Sequence, residues 1–492
     1  MAKYIIQRLI KSVLSVLIVV GIVVGIVYKL VPDTRSFTMD NGYKKMSGNP
    51  KTVYYYGKLE TLGYLDYLSI NDLVNMTKGD ASGEGAKTEE EVYEELENDG
   101  YTVMELSAND ELKGSHIAYR RYNVFELIGN YFSKLVVVDH TNYIQDPENP
   151  NLERSLHWGK DHNGVPALIG SGTLHKYLIY FDGHFPFVHQ NFITFNFGES
   201  FPMHKGVSTM DVIAEGQGPL KNIEQTFPTG ATLKSPVNQH TLKYKYMLDA
   251  LDKKRYTDNY ADGMNYHESP SMIQVSYIFG ILSLILQYLI AIPAAVAMSK
   301  RPGSWGDRIG IGYINLLISL PSLALIFFMK YLGLGLGLPD MFPHLGFNDV
   351  RSYIMPTIIL ALLGTPNLMM WLRRYMVDQN SADYVKFAKA KGLSGTEISR
   401  RHILRNAIIP IVNGIPSSII LAISGAVLTE SVFGIPGMGK MLPDAIKAGN
   451  NNMVITLTFI FTALAVAAVF IGDLLMTVVD PRIQLSEKKG GE

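Results

Sequence analysis

The pattern nearest to a catalytic or ligand-binding motif is Gly434-Ile435-Pro436-Gly437-Met438-Gly439-Lys440-Met441. It fits G-x-x-x-x-G-K, a loop whose backbone N–H groups cradle phosphates, but lacks the final Ser or Thr that ligates magnesium. Met441 cannot replace that hydroxyl. Pro436 removes one of the N–H groups, and no parallel-sheet pattern surrounds the stretch. Gly333, Gly335 and Gly337 alternate with leucines at the end of an apolar run, which reads as close packing or a turn. Six of the 12 His fall between His157 and His204. None has i, i+4 spacing and no H-E-x-x-H occurs, so they read as satisfied or surface residues and no metal ligand set is assigned. The absence of Cys excludes thiol nucleophiles, disulfides and iron–sulfur clusters. No Ser–His–Asp set or pair of catalytic carboxylates stands out, so the expectation is a protein that is not itself an enzyme.

The elements that carry these residues divide sharply by charge. Residues 32–268 hold 22 Lys+Arg and 33 Asp+Glu, net -11; subtracting from the totals of 44 and 45 leaves 22 and 12, net +10, for the rest. A net charge of -1 overall offers no general surface for nucleic acid. Outside 32–268, runs free of Asp, Glu, Lys and Arg span 12–28, 269–299, 309–329, 352–372, 406–429 and 448–472. A bilayer core needs about 20 apolar residues per helix, and one charge at its centre costs about 3 kcal/mol. Core helices of soluble proteins are shorter and amphipathic. Segment 1–31 has the basic start of a secretory signal, but no small-x-small site follows it, so it reads as a retained helix.

Lys and Arg near the segment ends set the orientation. Lys3, Arg8 and Lys11 precede the first span. Lys300, Arg301 and Arg308 lie in one loop, and the 373–405 loop has eight basic residues, whereas 330–351 and 430–447 have two each. The expected fold class is an all-α polytopic membrane domain of six transmembrane helices, N and C termini cytoplasmic, with an inserted α+β extracytoplasmic domain between helices one and two. The expected domains are 1–31, 32–268, 269–480 with the inner loop 373–405, and a tail 481–492. Within 32–268, Glu89 to Asn98 reads as a charged helix and Ser208–Glu215 as a short one. Lys134–Val138, Lys176–Phe181 and Asn191–Phe197 read as strands.

The inner loop is the most informative stretch. Ser381 reads as a helix N-cap, with Asp383 in the first turn. Tyr384, Phe387, Ala388 and Leu393 form one short apolar stripe with small Ala residues between. Gly392 ends the helix in a positive-φ position, and Ser394 with Glu397 fits a capping box for a second helix through Arg401 and Arg405. This is a compact, basic helix–Gly–helix, suited to anionic lipid or to a cytoplasmic partner.

Ala388, Ala390, Gly392, Leu393, His402, Arg405, Asn406, Ala407 and Pro410 resemble the coupling-loop motif of ABC importer permeases in the oligopeptide/dipeptide/nickel branch. The Glu that opens the general motif is replaced by Lys386. The N-terminal helix, Phe197-Gly198-Glu199-Ser200 with Val212-Ile213, the outer loop with Glu430, Phe433, Pro436, Gly437 and Gly439, and Asp480-Pro481-Arg482-Ile483 agree with that branch. The match covers about 1–33 and 190–486. The long interval between resembles the Ami/Opp-type oligopeptide permease B subunit of Gram-positive bacteria.

The resemblance implies a subunit in the bacterial cell membrane, its large domain extracellular. Its partners would be a second homologous permease, two cytoplasmic ABC ATPases, an extracellular peptide-binding lipoprotein and membrane lipid, with no nucleic acid. No cofactor is expected on this chain; ATP and magnesium belong to the ATPases. Asp383, Tyr384, Phe387, Ala388, Ala390, Gly392, Leu393, Arg401, His402, Arg405 and Asn406 would couple to the ATPases. Asn315, Asn367, Asn413, Ser417 and Ser418 are candidates to line the pathway, with Pro293, Pro321, Pro356, Pro366 and Pro416 as hinges. Dipeptides or nickel as cargo, or a membrane receptor, are the alternatives.

Overall fold

The computed structural model describes residues 2–78, 86–107, 112–183 and 187–479, with the side chains of 2–4 and 475–479 left aside. The Asp480–Ile483 motif and the 481–492 tail lie outside them. The chain divides into two compact units: Met1–Val20, Pro270–Asp444 and Leu457–Glu492 form one, and Gly21–Ser269 with Ala445–Thr456 the other.

The first unit is helical. Among the described residues of the whole chain, five helical stretches are long and apolar enough to cross a membrane: Ile5–Leu30, Met272–Lys300, Arg351–Gln379, Ile409–Phe433 and Asn451–Leu474. The 309–329 run is not one straight span. It forms helices Trp305–Ser319 and Ser322–Gly335, bent by 106°. Pro321 causes the break: its ring disfavours a helical residue before it, and Leu320 sits at ψ 132°. Counted as one span, the pair makes six. Pro293, Pro356, Pro366 and Pro416 remain inside their helices. Outward-facing residues such as Leu289 and Phe328, 67% and 64% exposed, would be penalised in water and suit acyl chains.

Ser271 starts helix Met272–Lys300 with a capping box to Gln274. That helix packs along Arg351–Gln379, where Gln287 Nε2 donates to the Gly364 carbonyl at 3.2 Å. At Gly280 an added Cβ would lie 2.6 Å from the Ala422 Cβ and 3.0 Å from its carbonyl, so only glycine permits that approach. Val275, Phe279, Ile326, Phe342, Met355, Ile359, Phe433 and Ile435 form one core of this unit.

The second unit combines helices and antiparallel sheets. Strand His116–Arg121 lies between Leu65–Leu68 and Thr102–Glu105. Helix Glu89–Asn98 buries Val92 and Leu96 beside this sheet. A four-stranded meander joins Ser155–Lys160, Pro166–Ser171, Tyr177–Phe181 and Val188–Gln190. The stretch read as strand Lys134–Val138 is the end of helix Val124–Leu135 followed by strand Val136–Val138. An Asn123–Glu126 capping box starts that helix early, and its apolar face carries it through Leu135. Helix Thr209–Ala214 lies where one was expected, and only Ile193–Phe195 of 191–197 is strand.

Asn450, Asn451 and Asn452 belong to this second unit. Asn450 Nδ2 donates to Ser200 Oγ at 2.8 Å, Asn452 Nδ2 to the Glu199 carbonyl at 3.0 Å, and Tyr28 Oη to Asn452 Oδ1 at 3.0 Å. Gly198, at φ +82°, leaves room for Asn452, whose Nδ2 would be 2.7 Å from a Cβ there. The Phe197–Ser200 motif is therefore a docking edge for the Asn450 and Asn452 side chains, while the Asn451 amide between them donates to Tyr64 Oη.

Candidate functional site

In the inner loop, helix Asp383–Ala390 has Ala382 rather than Ser381 as its N-cap. The Ser381 hydroxyl donates back to the Asp378 carbonyl at 2.9 Å, closing the preceding helix instead. Gly392, at φ +76°, donates to the Lys389 carbonyl, and Leu393 N–H reaches back to Ala388. These two bonds terminate the helix as expected of a glycine just beyond its end. Ser394 and Glu397 close the reciprocal capping box.

The apolar stripe differs from the sequence reading. Val385 and Ala388 are buried, with Tyr384 and Leu393 packed around them. Phe387 is 70% exposed. Asp383, Phe387 and Ala390 share the outer face at i, i+4, i+7 spacing. Asp383 pairs with Lys386 at 2.8 Å on this solvated face. The helix therefore buries two small aliphatic groups and presents a bare phenyl ring.

The next helix begins at Gly395–Glu397 and continues as a π-helical segment, Ile398–Ile403, before Leu404–Ala407. Ile398, Ile403 and Ala407 point into the core, while Arg401, Arg405 and Asn406 are exposed and His402 is half-buried. Val385, Ala388, Ile398, Ile403 and Ala407 pack with Ala295, Leu372 and Met376 in one buried cluster. The loop and the ends of helices Met272–Lys300 and Arg351–Gln379 thus share one core. A second brace lies beside it. Arg373 Nε donates to Asp307 Oδ1 at 2.5 Å and Nη2 to Oδ2 at 2.7 Å. Asp307 Oδ2 also accepts the Gly303 N–H at 2.7 Å. Arg373 is engaged inside the chain; Arg374 lies 5.6 Å over the Trp371 ring.

At the outer-loop motif, the Glu430 carboxylate is buried and fully engaged. Oε1 accepts from Ser276 Oγ at 2.8 Å and Ala426 N–H at 3.0 Å, and Oε2 from Lys440 N–H at 2.9 Å. Ser276 Oγ accepts the Met438 N–H at 2.8 Å. A Cβ at Gly437 or Gly439 would fall within about 3 Å of the Glu430 carboxylate. Two of the phosphate-loop-like glycines, Gly437 and Gly439, do enclose an acidic group, and it is the chain's own Glu430. Phe433 is core, and Lys330 Nζ donates to the Val432 carbonyl at 3.0 Å. Pro436 is half-buried.

The five intramembrane polar candidates are not equivalent. Asn315 and Asn367 are exposed on their helices. Ser417 Oγ donates to the Ala468 carbonyl at 2.8 Å and Ser418 Oγ to Gly414 at 3.0 Å. Asn413 Oδ1 is buried without a hydrogen-bond partner. Sequence reasoning missed Val385, Ser276 and Asp307, and also Arg8, which pairs with Asp473 between helices Ala2–Leu30 and Asn451–Val479. Asp473 had a signal: it is the acid that closes the charge-free run 448–472. Among the described residues, one His/carboxylate group has metal-ligand proximity, Asp161, His162 and His240.

Residues 287–485 match the family described as binding-protein-dependent transport system inner membrane component. The chain is 41% identical over 502 residues to the oligopeptide transport system permease protein AmiC of Streptococcus pneumoniae, covering 100% of both chains. That alignment includes the long acidic segment. The dipeptide transport system permease protein DppB of Lactococcus lactis is 30% identical over 267 residues, covering 51% of this chain and 87% of the relative. The oligopeptide transport system permease protein AppB of Bacillus subtilis is 31% identical over 217 residues, covering 42% and 67%.

Proposed function

The chain belongs to the ABC peptide permeases, the inner membrane components of binding-protein-dependent transport systems, and from that premise we propose that it is one permease half of an ATP-driven oligopeptide importer. It pairs with a second, homologous permease. Two cytoplasmic ATPases bind from below, and an extracellular lipoprotein delivers peptide. The basic residues at the termini and in the 300–308 and 373–405 loops support a cytoplasmic placement for all of them, which leaves 32–268 outside.

The observation that carries this reading is the exposed Phe387 on a short helix whose opposite face is fused to the membrane core through Val385 and Ala388. A bare phenyl ring suits a cleft on an ATPase. When the ATPases close on ATP, a displaced helix moves the ends of Met272–Lys300 and Arg351–Gln379 with it, because close-packed interiors shift as units. The inward- and outward-facing packings then exchange as a two-state switch. ATP hydrolysis stays on the partner subunits.

Asn315 and Asn367, exposed on a single chain, are the best-placed candidates to face the passage between two permeases. Ser417 and Ser418 are already engaged with backbone carbonyls, which supports a packing role for them. A net charge of -11 on 32–268 supports a role for that segment in receiving the binding protein.

Co-purification tests the reading. The chain brings down two ATPases and a second permease, and Phe387→Asp releases the ATPases while the permease pair remains. Recovery of a kinase, or of no partner, would contradict it.

A further inference from the structure

Within the Gly21–Ser269 unit, the turn between strands Ser155–Lys160 and Pro166–Ser171 meets the short turn Gln239–Thr241. Asp161 opens the first turn. Its Oδ1 accepts the N–H groups of Asn163 and Val165 at 2.8 and 2.9 Å. Its Oδ2 lies 2.9 Å from His240 Nε2. The Asp161 side chain is wholly enclosed and that of His240 is 10% exposed. The adjoining His162 ring is 4.5 Å from the His240 ring, centroid to centroid. One ligating atom from each of the three residues lies within 4.8 Å of the other two.

Two features go beyond an ordinary Asp–His hydrogen bond. The His162 Nδ1 atom is buried with no hydrogen-bond partner, a costly state for a polar atom. A neutral imidazole offers an acceptor lone pair on whichever ring nitrogen carries no hydrogen, and the His162 ring faces both Asp161 and His240 closely enough to share one ion. Its Nε2 lies 3.0 Å from the side-chain amide of Asn163. The two ends of that amide exchange by rotation, so its oxygen can accept a hydrogen bond from Nε2–H, the tautomer that leaves the lone pair on Nδ1. The remaining supports are rigid: two N–H groups orient the carboxylate, and Tyr180 stacks 4.4 Å from the His240 ring.

We propose that Asp161, His162 and His240 form a binding site for a zinc-class divalent cation. Two neutral imidazoles and one carboxylate are the donors such ions take, with a fourth position left for water. Tetrahedral ligands at zinc distances stand about 3.3 Å apart, so the Asp161–His240 contact opens by a few tenths of an ångström and His162 closes toward both. The ion ties two turns 79 residues apart into one edge of the four-stranded sheet. Magnesium and calcium, which take oxygen-only shells, are disfavoured. The site is independent of the transport reading.

The full-length chain, purified in its membrane complex through a tag free of histidine, is stripped with chelator and titrated with zinc beside His162→Ala. The wild type retains one more zinc per chain than the variant, and the variant's affinity at this site falls at least about tenfold. Cobalt added to the stripped wild type gives the intense visible bands of a four-coordinate ion, a readout that needs no variant. A wild type without zinc or cobalt bands, or a variant with unchanged zinc affinity, overturns the site.

Discussion

Arg373 grips Asp307 through two parallel hydrogen bonds, and the carboxylate it holds is closed off from solvent. The pair joins the first turn of helix Trp305–Ser319 to helix Arg351–Gln379, ten residues before the short helix that carries Phe387. Removing one partner of an enclosed pair strands the other, at a cost of about 3 kcal/mol. Asp307→Ala and Arg373→Ala are each expected to lower thermal stability strongly, and the double variant by less than the sum. Arg373→Lys, which loses the fork geometry, falls in between. A double-mutant cycle on the detergent-solubilised protein checks this; simple additivity would show that the pair contributes nothing.

The two faces of the Asp383–Ala390 helix predict opposite outcomes. Phe387→Ala touches no core residue and is expected to change stability by less than about 0.5 kcal/mol, while weakening recovery of the ATPases and reducing uptake. Val385→Ala is expected to cost about 2 kcal/mol of stability, with ATPase recovery falling only as the fold does. Measuring melting temperature and co-purified ATPase for both variants separates docking from packing.

Gly392 holds φ +76°, where a side chain costs about 1–2 kcal/mol. Gly392→Ala is expected to reduce the yield of coupled transport moderately. Gly392→Pro is worse, because its φ is fixed near −65° and it loses the N–H that reaches Lys389. Ala388→Trp overfills a buried site and is expected to detach the short helix from the membrane core. The check in each case is the ratio of ATP hydrolysed to peptide taken up in reconstituted vesicles, which rises if the loop no longer transmits closure.

Glu430→Gln places an amide where three donors converge on a carboxylate. The amide NH2 cannot accept the bonds that one carboxyl oxygen takes, and an unmade buried hydrogen bond costs about 1–3 kcal/mol, so the variant is expected to loosen the 425–440 loop. Ser276→Ala removes one hydroxyl from the same knot and is expected to be milder. Hydrogen exchange of the Ala426, Met438 and Lys440 amides reads the difference directly.

Gly280→Ala drives a methyl into the Ala422 backbone, an overpacking cost of about 1–3 kcal/mol. Ala422→Gly removes the nearest atom but not the Ala422 carbonyl, so the double variant recovers only part of the loss in melting temperature.

Local signals in the sequence carried the inner loop well. Gly392 and the Ser394–Glu397 box depend on a few adjacent residues, and both sit where the pattern placed them. The stripe differs in one member: Val385 faces inward and Phe387 outward, a choice set by what the neighbouring helices leave open. The bend at Leu320–Pro321 was visible as a proline, yet an unbroken charge-free run hid it. Asp307 with Arg373, Arg8 with Asp473, and Asp161 with His240 join residues 66, 465 and 79 positions apart in the chain. No local pattern encodes such pairs. Family resemblance added the outer-loop motif, and the structure supplied its physical meaning as a cage for Glu430.

The central claim is that the Phe387 face meets an ATPase on the cytoplasmic side. The chain contains no Cys, so Phe387→Cys gives one unique thiol. Labelling with a membrane-impermeant maleimide is compared in intact cells, in inverted vesicles stripped of the ATPases, and in inverted vesicles with the ATPases reassembled. Labelling is predicted only in the stripped inverted vesicles, with protection on reassembly. Labelling in intact cells, or equal labelling with the ATPases bound, would contradict the account.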